Sequence, residues 1–178
     1  MKDWSKTSLT ELVEYLEKHH LMLRKMLLEI SQLLNTGVIQ HRVQLGDTLE
    51  SLLDFFAEFR PEMEKHFERE ERILWPYIRQ MESFSQTGRD KPDFDYGGVK
   101  NPISLIEYEH DRIENVMLDI MHDIAGNYKL PPDTDNAVRR IYDYMQNIDK
   151  EIREHIYLED KILFPRVIEL ELRSMHSR

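Results

Sequence analysis

His66-Phe67-Glu68-Arg69-Glu70-Glu71-Arg72-Ile73-Leu74-Trp75-Pro76 returns, 89 residues later, as His155-Ile156-Tyr157-Leu158-Glu159-Asp160-Lys161-Ile162-Leu163-Phe164-Pro165. The shared pattern is His-x3-Glu-acidic-basic-Ile-Leu-aromatic-Pro. A His and a Glu four residues apart lie on one face of a helix, about 6 Å apart along its axis. Two single histidines, His20 and His110, repeat with an offset of 90 residues. The chain therefore reads as a duplicated helical pair with a pseudo-twofold relation.

Working outward, four segments show helical periodicity, at roughly 8–35, 45–80, 102–125 and 134–170, with boundaries loose by several residues. The first carries Leu9, Val13, Leu16, Leu23, Leu27, Ile30 and Leu34 in alternating steps of four and three. The second carries Leu49, Leu52, Phe56, Phe59, Met63, Ile73 and Tyr77. The third carries Ile103, Ile106, Ile113, Met117, Ile120 and Ile124. The fourth carries Val138, Ile141, Met145, Ile148, Ile152 and Ile162. Each stripe is interrupted in register: by His20, by His66 and Glu70, by His110, and by His155 and Glu159. Burying such groups without partners costs several kcal/mol, so six of them facing one interior need something to hold them together. A metal ion does that.

The fold expected is all-α, an antiparallel up-down four-helix bundle forming a single domain over 1–178. Thr36-Gly37 is expected in the first connection, a long loop at 81–101 in the second, and Gly126 with Pro131-Pro132 in the third. Asp133 or Thr134 is expected to cap the last helix. Pro61, inside the second segment, should kink or briefly break it.

Composition narrows the chemistry. The chain has 178 residues and no cysteine, which excludes disulfides, thiolate metal sites and cysteine nucleophiles. Its formal net charge is −10, so nucleic acid is not an expected partner. No run of about 18 apolar residues is present, so no membrane span is expected. The start, Met1-Lys2-Asp3-Trp4-Ser5-Lys6, lacks an apolar signal segment, and the expected location is the cytoplasm. No phosphate loop or nucleophile elbow is present.

Imidazole and carboxylate together suit Fe, Mn or Zn. Two His on each ion and two shared Glu make four protein ligands per ion. An octahedral ion then keeps positions for an oxo or hydroxo bridge and a small exogenous ligand, which suits O₂, NO or peroxide chemistry. Glu17, Glu62, Glu107 and Glu109 lie within one turn of a ligand His and are candidates for orienting the imidazoles or lining an access path. His19 reads as solvent-facing or as a group behind the ligands. His41, His122 and His176 read as surface residues, and Trp75 and Phe164 as core packing.

Taken together, His20 followed by Arg24, the two His-x3-Glu motifs with their Ile-Leu-aromatic-Pro endings, and Pro102-Ile103 leading to Glu109-His110-Asp111 resemble the hemerythrin-like (HHE cation-binding) superfamily. More narrowly they are similar to the repair of iron centres (RIC) di-iron proteins. The resemblance runs from about Leu9 to Arg166. It implies metal ligands at His20, His66, Glu70, His110, His155 and Glu159 and a cofactor of two iron ions, with Mn or Zn as substitutes. It also implies a stress-response role: repair of damaged Fe–S proteins, NO or O₂ chemistry, or iron donation. Many RIC proteins carry an N-terminal domain with a cysteine pair, for which this chain has no counterpart. Oxygen-carrying hemerythrins resemble it less, since they place a further His where this chain has Glu114. Three other readings remain beside this one: an O₂ or iron sensor or store, a ferritin-like oxidase suggested by Glu17-x2-His20 and Glu107-x2-His110, and a zinc-stapled bundle.

Overall fold

The computed structural model describes residues 3–40, 46–89, 92–93 and 96–176. Among these the only regular structure is helical, in four continuous segments. Helix α1 spans Leu9–Gln40. Helix α2, Gly46–Arg69, passes through a π turn at Glu70–Leu74 into α3, Trp75–Thr87. Helix α4, Lys100–Arg112, passes through a π turn at Ile113–Met117 into α5, Leu118–Ile124. Helix α6, Asn136–Leu158, passes through a π turn at Glu159–Leu163 into α7, Phe164–His176. This is the all-α, four-segment bundle expected. No helix among the described residues is long and apolar enough to cross a membrane.

The chain divides into two compact units, each taking a piece of all four segments. The first comprises Met1–His20, His66–His110 and Glu154–Arg178. Its core is built from Leu12 and Leu16 of α1, Trp75 and Ile78 of α3, Ile103 of α4 and Phe164 and Val167 of α7, all fully buried. The start of α1 is fixed twice. Ser8 Oγ accepts from the Glu11 amide at 3.0 Å, and the Glu82 carboxylate accepts from the Leu9 and Thr10 amides at 2.7 and 2.8 Å. A carboxylate there satisfies otherwise orphaned N–H groups and favours the positive end of the helix dipole. The loop before α4 is held by Glu171, which accepts from the Val99 amide at 3.0 Å and from the Tyr77 hydroxyl. Gly98 sits beside it at φ +119°, where a side chain would be strained and its Cβ would come within 3.3 Å of Glu171.

The second unit, Leu21–Lys65 and Asp111–Arg153, buries Leu23, Leu27, Leu49, Phe56, Leu118, Met145 and Ile148. Gly37 lies inside α1 here and not in a connection, because it is a contact point: a Cβ on it would meet Ile141 Cδ1 at 2.8 Å. Nor does Pro61 break α2. Pro61 and Ala57, whose carbonyl loses its donor, are both exposed, so the freed group is not stranded in the core. The cap of α6 is Asp135, whose carboxylate accepts from the Ala137 amide at 2.7 Å, rather than Asp133 or Thr134.

The π turns correct the apolar stripes. Each inserts one extra residue and shifts the buried face that follows, although the expected Tyr77 stays buried. After Glu70 the fully buried residue is Leu74 where Ile73 is expected, and after Glu159 it is Leu163 where Ile162 is expected. After Ile113 the buried series is Leu118, Met121 and Ala125 in place of Met117, Ile120 and Ile124, and Ile120 is 45% exposed. Helix α1 has no such insertion, and all seven of its expected stripe residues are buried.

Candidate metal centre

All six stripe-interrupting residues lie in the first unit, and all are buried. They form two groups, His20-Glu70-His155-Glu159 and His66-Glu70-His110-Glu159, each with ligand atoms within 4.8 Å of one another. Both carboxylates belong to both groups. Each group takes one His from each half of the duplicated sequence, a pairing that the repeat alone leaves open.

The atoms converge. His20 Nε2 and His155 Nε2 are 3.0 Å apart, and His66 Nε2 and His110 Nε2 are 3.2 Å apart. Glu70 faces the first pair with Oε2, 3.1 Å from His20 Nε2, and the second with Oε1, 3.5 Å from His66 Nε2 and 3.6 Å from His110 Nε2. Glu159 Oε2 lies 3.2 Å from His155 Nε2 and 3.3 Å from His110 Nε2.

Three of the four imidazoles are oriented from behind by an acid. His20 Nδ1 is 2.9 Å from Glu71, His110 Nδ1 is 2.7 Å from Asp160, and His66 Nδ1 is 3.2 Å from Glu109. An ionised carboxylate only accepts, so these Nδ1 atoms carry a proton and their Nε2 atoms point into the centre, where each can offer a lone pair to a metal. Of the four acids expected in this role, only Glu109 fills it. Glu17 pairs with Arg79 at 2.7 Å, Glu62 with Lys65 and Arg112, and Glu107 is exposed. Glu71 and Asp160 take the role instead. Their signal was in the repeat itself, as the acidic residue that follows the ligand Glu in both copies.

Aromatic rings close the centre. Trp75 stacks on His20 with centroids 4.5 Å apart, Phe164 lies parallel to His110 at 6.0 Å, and Phe67 sits 4.1 Å from His20. His19 is buried, with its ring 5.3 Å from that of His155. His122, expected at the surface, is partly buried and bonded to Asp149 at 2.6 Å. His41 and the side chain of His176 lie outside the described residues.

Does this set fit a metal? Glu70 and Glu159 are fully buried, and among the described residues none of their four carboxylate oxygens has a partner in good hydrogen-bond geometry. Two such anions in one cluster of ligand atoms within 4.8 Å of one another need a positive charge between them. Lone pairs of neighbouring imidazoles about 3 Å apart match adjacent ligands on one ion with bonds of about 2.1 Å. The donor set therefore fits cations. Without one, protons must do the neutralising. Burial takes His66 down to about 4. At His155 burial is outweighed by the charge of Glu159, which lifts it to about 9. At His110 the Asp160 bond and both glutamates outweigh burial and raise it well above the usual range. Burial works against both carboxylates, yet the surrounding imidazoles hold them below their ordinary range.

The sequence matches the hemerythrin HHE cation-binding domain over residues 11–167. The iron-sulfur cluster repair protein YtfE of Salmonella schwarzengrund (strain CVM19633) is 24% identical over 172 residues, covering 94% of this chain and 70% of that protein. YtfE of Salmonella paratyphi B (strain ATCC BAA-1250 / SPB7) matches to the same extent.

Proposed function

Because the chain belongs to the hemerythrin HHE cation-binding domain family, we propose that it is a di-iron protein of the iron-sulfur cluster repair type, organised as one hemerythrin-like domain. His20 and His155 would hold one iron and His66 and His110 the other, with Glu70 and Glu159 available to both. The observation that carries this reading is that both buried carboxylates belong to both ligand groups. The relatives named for iron-sulfur cluster repair support the repair role. When bound, the irons supply redox chemistry and a place for a diatomic ligand such as NO or O₂.

The chain's own residues do the rest. Glu71, Glu109 and Asp160 hold protons on the outer nitrogens, which keeps the inner nitrogens available as ligands. Trp75, Phe67 and Phe164 are fully buried against the imidazoles and exclude water. Mixed imidazole and carboxylate donors make iron a reasonable resident, with Mn or Zn as competitors. An oxygen-carrying role is less well supported, since the position of a further His is taken by Glu114, which faces Arg153.

The test is to load the protein anaerobically with Fe(II), reduce it, and mix it with an iron-sulfur enzyme previously damaged by NO. Recovery of that enzyme, together with a nitrosyl EPR signal on direct exposure of the loaded protein to NO, supports the reading. No recovery and no NO binding would sink it.

A further inference from the structure

The repeat relates more than the ligands. His20 corresponds to His110, and Glu71 to Asp160, so the pair His20–Glu71 at 2.9 Å and the pair His110–Asp160 at 2.7 Å are the same device built twice. The remaining ligand histidines are His66 and His155. Glu109, the residue just before His110, lies 3.2 Å from His66 Nδ1. Its counterpart in the first half, the residue just before His20, is His19. His19 is 5% exposed, and its ring lies 5.3 Å from that of His155 at an interplanar angle of 59°, with Tyr15 packed on its other side. His155 Nδ1 is buried and, among the described residues, has no acceptor within hydrogen-bond geometry.

We propose that His155, backed by the His19 ring where His66 is backed by an acid, is the less firmly oriented ligand, so that the metal position held by His20 and His155 binds its ion more weakly than the position held by His66 and His110. This deepens the di-iron reading and rests on it. A carboxylate behind an imidazole accepts its outer N–H strongly and makes the inner nitrogen a better donor to metal. The His66–His110 position has two such carboxylates, Glu109 and Asp160. Arg69, on the rim and 40% exposed, holds the second oxygen of Glu109 and fixes its direction. The His20–His155 position has only Glu71, because the His19 ring packs against His155 without accepting its Nδ1–H. Removing or replacing an orienting group of this kind changes metal affinity by about 10- to 100-fold. The two positions therefore fill in order, and the ion beside His19 is the one that leaves first.

The experiment is an anaerobic Fe(II) titration of the metal-free protein by calorimetry, with ⁵⁷Fe Mössbauer spectra at one and two equivalents. The wild type should take two ions in steps whose affinities differ about 10-fold or more, with one quadrupole doublet at one equivalent and a second appearing at two. In His19→Glu the weaker step should tighten until the two merge. In Glu109→His, which gives both halves an imidazole, the tighter step should weaken until they merge. Two ions per chain with the step ratio unchanged in both variants would overturn the role of His19 while leaving the di-iron reading intact. Fewer than two ions in the wild type would overturn the reading itself and the inference with it.

Discussion

The two copies of the repeat agree at the clustered His and Glu residues and part company one layer behind. His20 and His110, His66 and His155, Glu70 and Glu159, Glu71 and Asp160, Trp75 and Phe164 occupy matching places around one centre. Behind His66 stands Glu109, and behind His155 stands His19. The helix that carries His20 runs on as a regular α-helix, whereas the one that carries His110 passes into a π turn three residues later. A duplicated site thus keeps its donor atoms under strict symmetry, because removing one leaves buried charge uncompensated. The supporting groups are free to diverge and so to make two chemically similar positions unequal.

The symmetric part of this comparison should break most severely at the shared carboxylates. Glu70→Ala or Glu159→Ala should each abolish tight binding of both ions, exceeding the roughly 100-fold loss expected for an orienting residue. Loss of only one ion would show that the carboxylate serves a single position. By contrast, His20→Ala and His110→Ala should each lower the iron count from two to one, on opposite sides of the centre. In the aromatic pair, Trp75→Ala and Phe164→Ala should each cost about 3–5 kcal/mol in urea unfolding, because both side chains are fully buried.

Much of this was legible in the chain. A His or Glu on an otherwise apolar helical stripe is expensive, and the six interruptions are the residues that the fold gathers into one buried cluster. The π turns were not legible. A single inserted residue is invisible to a periodicity count until burial is seen, which is why Ile120 reads as core and is 45% exposed while Met121 is buried. The same insertions explain why Glu71 and Asp160 were missed as orienting acids. Both lie inside π turns, at Glu70–Leu74 and Glu159–Leu163, and a straight α-helix would send neighbours of a ligand about 100° away from it. Gly37 misled for another reason: glycine marks a helix end by conformation, but here it serves close packing against Ile141.

The orienting acids sharpen the comparison further. Glu71→Ala and Asp160→Ala should weaken iron binding by similar factors, about 10- to 100-fold, because they are equivalent, whereas changes at His19 and Glu109 should not match each other. A gentler effect concerns the metal-free protein. His66 and His155 are counterparts, yet one is driven down to about 4 and the other up to about 9 from the same ordinary 6.5. The stability tied to His155 is fully present below 6.5 and is lost as pH rises toward 9. That tied to His66 is fully present above 6.5 and is lost as pH falls toward 4. The melting temperature of the metal-free protein should therefore peak near pH 6.5, and iron loading should flatten the alkaline side, since ligation requires the neutral imidazole. A melting temperature that climbs steadily from pH 5 to 9 without metal would contradict this.

The central claim is that two ions share two buried carboxylates. Its most direct test is the iron count per chain after anaerobic loading, with EPR and Mössbauer spectra of the oxidised and one-electron-reduced protein. The account predicts two irons per chain, exchange-coupled so that the fully oxidised form is EPR-silent and the one-electron-reduced form shows a signal from the coupled pair. A single ion per chain, or two that behave magnetically as independent centres, would contradict it.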